Sequence, residues 1–105
     1  FQKPKDAEIL VRLGNWEMGN GRNETAVSYF DRAADLNPKL ALSYLNRHYA
    51  LVNLRRFGAA YEAYQEAIGL KKSLSVLPSK DFEVRGILGA GGGGIVYHAR
   101  RLKDD

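Results

Sequence analysis

Cysteine is absent from the 105 residues, so neither a disulfide nor a thiolate zinc site can be built, a composition that suits a reducing compartment. No apolar run reaches the roughly eighteen residues a membrane-spanning helix needs, and no secretory signal peptide is visible. His48 has no ligand cluster around it that would make a metal site, so a packed or half-exposed histidine is expected there. A start at Phe1 rather than methionine reads as an excised or processed piece. What remains is a chain of 11.7 kDa with 45% hydrophobic residues: enough for one small globular domain with an appended fragment, too little for a large catalytic cleft.

The net charge of +4 is unevenly placed, because residues 1–70 carry nine basic and eight acidic groups whereas residues 71–105 carry seven and four. Lys71, Lys72, Arg100, Arg101 and Lys103 could meet phosphate, yet no aromatic residues interleave with them as they do in many nucleic-acid binders. A solvated surface is the ordinary reading of this excess, and nucleic acid is not the expected partner.

Sliding the sequence against itself by 34 residues aligns Ala7 with Ala41, Arg22 with Arg56, Ala26 with Ala60, Ala33 with Ala67, Leu36 with Leu70 and Leu40 with Leu74. A period of this length indicates stacked helix pairs. The alanines recur where two helices must approach closely, and Phe30 or Tyr64 follows four residues after Ala26 or Ala60, one turn along the same face. "GNGRN" at residues 19–23 supplies a helix stop and a candidate N-cap at Asn23. "NP" at 37–38 places a capping Asn37 before a proline suited to a first helical turn. Four helices are therefore predicted, near residues 5–19, 23–36, 39–53 and 57–72, with "LRRFG" at 54–58 closing the second pair.

Leu10, Leu13, Gly14, Ala26, Phe30, Ala33 and Pro38, and then Tyr44, Leu51, Ala60, Tyr64 and Ala67, resemble the tetratricopeptide repeat (TPR) pattern. Glu17, Arg47 and His48 depart from it: the first stands where an aromatic is usual, the others where Leu-Gly is usual. The resemblance implies two repeats, 7–40 and 41–74, as antiparallel helix pairs of a right-handed α-solenoid fragment. It further implies a concave surface for a protein or peptide, lined by Glu8, Val11, Arg12, Asn15 and Met18 and by Leu42, Leu45, Asn46, Tyr49 and Asn53. Asn15 and Asn46 match asparagines that hold the ligand backbone or its carboxylate in TPR modules gripping chaperone tails. An amide both donates and accepts, so it binds a peptide main chain without reading side chains. Val11 and Leu42 stand where that chaperone clamp would place lysines, so generic peptide binding is the expectation; the alternative is that both asparagines are only polar residues of a solvated face. Two repeats leave an apolar face of the last helix open at Tyr61, Tyr64 and Ile68, to be covered by the C-terminal segment, a missing repeat or a second copy.

After the linker 75–81, "DFEVRGILGAGGGGIVYHARRL" reads as strand, turn, strand: Phe82, Val84 and Leu88 alternate with Glu83 and Arg85, and Ile95, Val96 and Tyr97 form a β-favouring run. Leu88, Gly89, Gly91, Gly94 and Val96 resemble the opening glycine-rich hairpin of a protein kinase domain, G-x-G-x-x-G-x-V, which lies over ATP phosphates. A dinucleotide-binding fingerprint fits less well, since it should open a helix after the glycines; a merely flexible hairpin tip is the structural alternative. The resemblance implies ATP and Mg as cofactors of a serine/threonine-type parent kinase. This chain itself would have no catalytic residue and no cofactor, because the phosphate-pairing lysine, catalytic aspartate and metal-binding groups lie later in that pattern. Lys103, in "RLKDD", comes too early to be that lysine. Ser73, Ser75 and Ser79 near lysines could be phosphorylated, although a polar linker is the simpler reading.

The sequence thus points to a mainly α, cytoplasmic, non-catalytic interaction module with a short C-terminal β-hairpin or disordered tail at 82–105. It would recruit a partner or substrate to the kinase of which it is a fragment; the alternative is a stand-alone small TPR adaptor with a structural glycine-rich tail. An orphan hairpin bearing Val84, Ile87, Leu88, Ile95, Val96 and Tyr97 should dock on the last helix as a substitute cap or stay unfolded, and without a sheet around it should not bind nucleotide.

Overall fold

The computed structural model describes residues 5–78, 80–92 and 94–102; Phe1, Ser79 and Lys103 lie outside them. Four helices, α1 (Asp6–Gly19), α2 (Asn23–Leu36), α3 (Ala41–Asn53) and α4 (Phe57–Leu70), lead through a single 3-10 turn (Lys72–Leu74) to two strands, β1 (Phe82–Gly91) and β2 (Gly94–Arg101). α1 pairs with α2 and α3 with α4, while α2 against α3 joins the two pairs.

Small residues set the closeness of this packing. Ala26, Ala33, Ala50, Ala60, Ala63 and Ala67 are buried, and Phe30 and Tyr64 are the large residues that fill the space between the paired helices. In the first pair Phe30 lies directly over Gly14, where a Cβ would stand 2.4 Å from the ring. The equivalent residues 34 positions later are His48 and Tyr64, whose rings sit side by side at 5.4 Å between centroids. Both side chains are fully buried, and the Tyr64 hydroxyl accepts from the Val76 N–H at 3.1 Å and lies 3.2 Å from Ser75 Oγ.

Both pairs turn in the same way. After α1, the Arg22 N–H bonds to the Glu17 carbonyl and that of Gly21 to Met18, with Gly21 at φ 79°. After α3, Arg56 and Arg55 repeat these bonds to Leu51 and Val52, with Arg55 at φ 59° where the first turn has glycine. Those backbone bonds close the turn around Arg55, and its guanidinium donates to the Ala90 carbonyl at 3.1 Å and lies over the Phe57 ring.

Two expected caps are corrected. Asn23 is the first residue of α2 rather than its N-cap, and its Oδ1 instead accepts a hydrogen bond from Asn53 Nδ2 at 3.0 Å. Asn37 does not start α3: its Oδ1 accepts from the Lys39 N–H and its carbonyl from the Leu40 N–H, closing a turn on itself, so the helix begins at Ala41 rather than 39. α4 likewise ends at Leu70, two residues before the expected end, because the chain tightens into the 3-10 turn.

The C-terminal hairpin is ordered and docked. β1 and β2 are antiparallel, with register irregularities between Val84 and Gly86 and between Ile87 and Gly89. These bulges shift the side-chain phase, which corrects the simple alternation expected of β1: Val84 is buried and Ile87 and Ala90 face the helices, whereas Leu88 is thrown outward and is 69% exposed. β2 alternates cleanly, Ile95, Tyr97 and Ala99 inward and Val96, His98 and Arg100 outward. Ile87, Ala90 and Ile95 pack on the cluster of Leu51, Val52, Ala60 and Ala63, and the Tyr61 hydroxyl donates to the Val84 carbonyl at 2.8 Å. The face of α4 left open by two repeats is therefore covered by the chain's own hairpin.

Candidate functional site

The first helices of the two pairs, α1 and α3, lie beside each other and leave a shallow concavity lined by Glu8, Val11, Arg12, Asn15, Leu40, Leu42 and Asn46. Helical spacing explains the assembly: Glu8, Val11, Arg12 and Asn15 recur at three and four residues and so share one face of α1, while Leu42 and Asn46 are one turn apart on α3. Val11 is buried and forms the floor; Leu42 is 48% exposed and forms an apolar wall. Glu8, Arg12 and Asn15 are exposed and Asn46 is half-buried.

Among the described residues, the side chains of Arg12, Asn15 and Asn46 make no hydrogen bond or ion pair. Polar groups so placed above an apolar floor are ready to meet an incoming backbone or carboxylate. Other polar side chains nearby are already occupied. Arg22 pairs with Glu17, Arg56 with Glu24 at 3.1 Å, and Arg47 lies 3.0 Å from Asp31 and 3.8 Å from Glu66, bracing α3 against α2 and α4. The Arg47 Nε–H is not aimed at the Asp31 oxygen, so that contact is an ion pair without a directed hydrogen bond.

Of the five residues expected to grip a peptide, Arg12, Asn15 and Asn46 are brought together in this concavity. Tyr49 and Asn53 lie one and two turns further along α3 and are not part of it. Asn53 ties α3 to the start of α2 through Asn23, and Tyr49, 38% exposed, sets its ring at a tilt 4.9 Å from that of His48. Met18 packs against the core of the first pair, and Leu45 is half-buried outside the concavity. Leu40 was missed because it stands before α3 rather than on it; its 34-residue match with Leu74 marked it only as a repeat residue.

On the hairpin, Leu88, Gly89, Gly91, Gly94 and Val96 line a second open hollow with Ala90 and Ile95. Leu88 and Val96, 69% and 56% exposed, stand on the face turned away from the helices. The residues after the glycines form a strand, which departs from the helix a dinucleotide-binding fingerprint requires. His48 is wholly buried, as a packed histidine, with Nδ1 3.0 Å from the Ala60 carbonyl and Nε2 2.8 Å from the Tyr97 hydroxyl. Among the described residues no group of three or more His, Asp or Glu could hold a metal ion, and no helix is long and apolar enough to cross a membrane.

A family model described as "Tetratricopeptide repeat" matches residues 7–40, which carry the first helix pair and five of the seven residues lining the concavity. A curated protein of Giardia intestinalis (strain ATCC 50803 / WB clone C6), UDP-N-acetylglucosamine-peptide N-acetylglucosaminyltransferase, is 34% identical over 67 residues, covering 64% of this chain. The chain spans 4% of the length of that relative. A TPR repeat is thus recognised in the chain, and repeats of this kind are protein-interaction scaffolds.

Proposed function

We propose that the concavity between α1 and α3 captures an extended peptide of a partner protein. One observation carries this reading: Arg12, Asn15 and Asn46 converge above Val11 and Leu42 with their polar ends unemployed by the other described residues. The asparagine amides would bond the peptide main chain, the apolar wall would take an aliphatic side chain, and Arg12 would favour an acidic neighbour. The name of the Giardia relative describes an enzyme acting on peptides, which fits a peptide-directed role for a similar segment. With no cysteine to protect from oxidation or to oxidise, the module fits a cytoplasmic setting.

The test is a peptide display selection on the intact chain, repeated with Asn15→Ala and Asn46→Ala combined. Selected peptides should bind the double variant at least about tenfold more weakly, the loss of about 1.4 kcal/mol expected of one or two amide hydrogen bonds. Equal binding would remove the asparagines from the site.

A kinase parent is supported by a separate observation. Leu88 and Val96 stand side by side on the hairpin's outward face around the glycines, the arrangement needed if an adenine ring lay beneath the strands and phosphates beneath Gly89, Gly91 and Gly94. In that reading the repeats recruit a substrate or regulator, and ATP with Mg is bound only when further strands and the catalytic groups surround the hairpin. Phosphoryl transfer by the longer protein, lost on changing Gly89, Gly91 and Gly94 together, would support it; a chain of 105 residues that binds Mg-ATP with a Kd below about 100 µM would contradict the dependence on further strands. Self-association through α4 would require the hairpin to leave, since it occupies that face.

A further inference from the structure

We propose that His48 is a pH-sensitive latch: deprotonated, it fastens the glycine-bearing hairpin to the second helix pair through Tyr97, and its protonation releases the hairpin and uncovers α4. The inference stands on the geometry around one buried ring and is independent of what fills the concavity.

A carbonyl can only accept, so the 3.0 Å contact with Ala60 fixes the proton of the neutral ring on Nδ1. Nε2 is then the acceptor, and the Tyr97 hydroxyl donates to it at 2.8 Å. Residue 48 is fully buried, and the bond spans from α3 to β2. Among the described residues two other polar ties join the hairpin to the helices, Tyr61 to Val84, part-buried like the His48–Tyr97 bond, and Arg55 to Ala90, exposed; both use backbone carbonyls that water can serve when the hairpin lifts. His48 and Tyr97 therefore form the one tie among the three in which a buried titratable side chain is matched to a specific partner.

Among the described residues no carboxylate stands against the ring to compensate a positive charge. From its own helix, Tyr49 lies against it and Arg47 is turned to Asp31 and Glu66; from α4, Tyr64 lies against it, with Tyr61 engaged by Val84; from β2 comes Tyr97. Glu83 and Arg85 of β1 and His98 of β2 are exposed, the first two paired with each other at 3.7 Å. Burial holds the imidazole below its ordinary 6.5, opposed in part by the bond to Ala60, with no carboxylate contributing. Protonation would let Nε2–H donate to the Tyr97 oxygen, but it would strip the phenol proton of its acceptor and leave the cation out of water. The part of this enclosure that can be lifted is the hairpin, because α4 is anchored by Ala60, Ala63, Tyr64 and Ala67 in the helical core. Since the docked state holds the lower pKa, docking is fully present above about pH 6.5 and weakens as pH falls through the docked-state pKa, by at most about tenfold per pH unit for one proton.

The experiment follows the intact chain by NMR from pH 7.5 to 5.0, reading the His48 ring nitrogens and amide protection factors corrected for intrinsic exchange. The expected result is an Nδ1–H tautomer at neutral pH, titration below the free-histidine range, and a parallel fall in protection at residues 84–99 while residues 26–33 stay protected. Each pH unit should remove at most about tenfold of that protection. His48→Gln should abolish this pH dependence whether or not its hairpin remains docked, and Tyr97→Phe should reduce it. An Nε2–H tautomer, hairpin protection unchanged across the range, or the same fall in His48→Gln would overturn the proposal.

Discussion

Gly14 shows most directly how one residue sets the fit of a helix pair. A methyl group there would overlap the Phe30 ring, which is itself fully buried. Gly14→Ala should destabilise the chain by about 1–3 kcal/mol in urea unfolding. Gly58→Ala is the matched control, since a Cβ at Gly58 meets nothing within 4 Å; it should be neutral or stabilising by up to about 1 kcal/mol. Asn53 tests the boundary of the concavity. Its amide is engaged by Asn23 on an exposed edge, so Asn53→Ala should cost no more than about 1 kcal/mol and leave peptide capture unchanged, in contrast to Asn15→Ala with Asn46→Ala.

At the level of elements, the four helices were legible because apolar spacing, alanines and a 34-residue period all describe one packed face. Helix starts were less so: Asn23 and Asn37 have good capping chemistry, yet each spends its side chain on another partner, a bond across 30 residues in one case and a local turn in the other. The concavity was partly legible for a related reason. Offset by 34, Arg12 matches Asn46 and Glu8 matches Leu42, so equivalent positions do converge, whereas Asn15 matches Tyr49, which lies outside the concavity; the period marks the shared face, and only the two helices laid side by side show where it closes. The hairpin's bulges, which send Leu88 outward, leave no mark in the pattern of apolar residues, and the docking of Tyr97 on His48 joins positions 49 apart that no local rule connects. Tyr61→Phe tests that docking from the other end: it removes the donor to Val84 and should lower amide protection in β1 by several-fold, about 0.5–1.5 kcal/mol, with little effect on α1 and α2.

The whole molecule is elongated, 53 by 29 by 18 Å, with the hairpin closing one end of the helical stack and the concavity between α1 and α3 open. The contact between His48 and Tyr97 should contribute to the pH dependence of stability at both ends of the scale. Burial, with Tyr49 and Tyr64 adding to it, pushes the Tyr97 phenol up to about 12, whereas an unfolded phenol ionises near 10. The folded chain therefore keeps a proton that the unfolded chain has lost, so Tyr97's contribution is complete below pH 10 and declines as pH rises toward 12. Thermal unfolding followed across that range should show the decline, and Tyr97→Phe should reduce it, leaving the smaller share of Tyr44 and Tyr61, which burial also raises. The central claim remains the concavity, and the most direct measurement is 1H–15N chemical-shift mapping of the intact chain with a display-selected peptide. Shifts centred on Glu8, Val11, Arg12, Asn15, Leu42 and Asn46 are predicted; shifts centred on the outward face of the hairpin, with those residues silent, would contradict it.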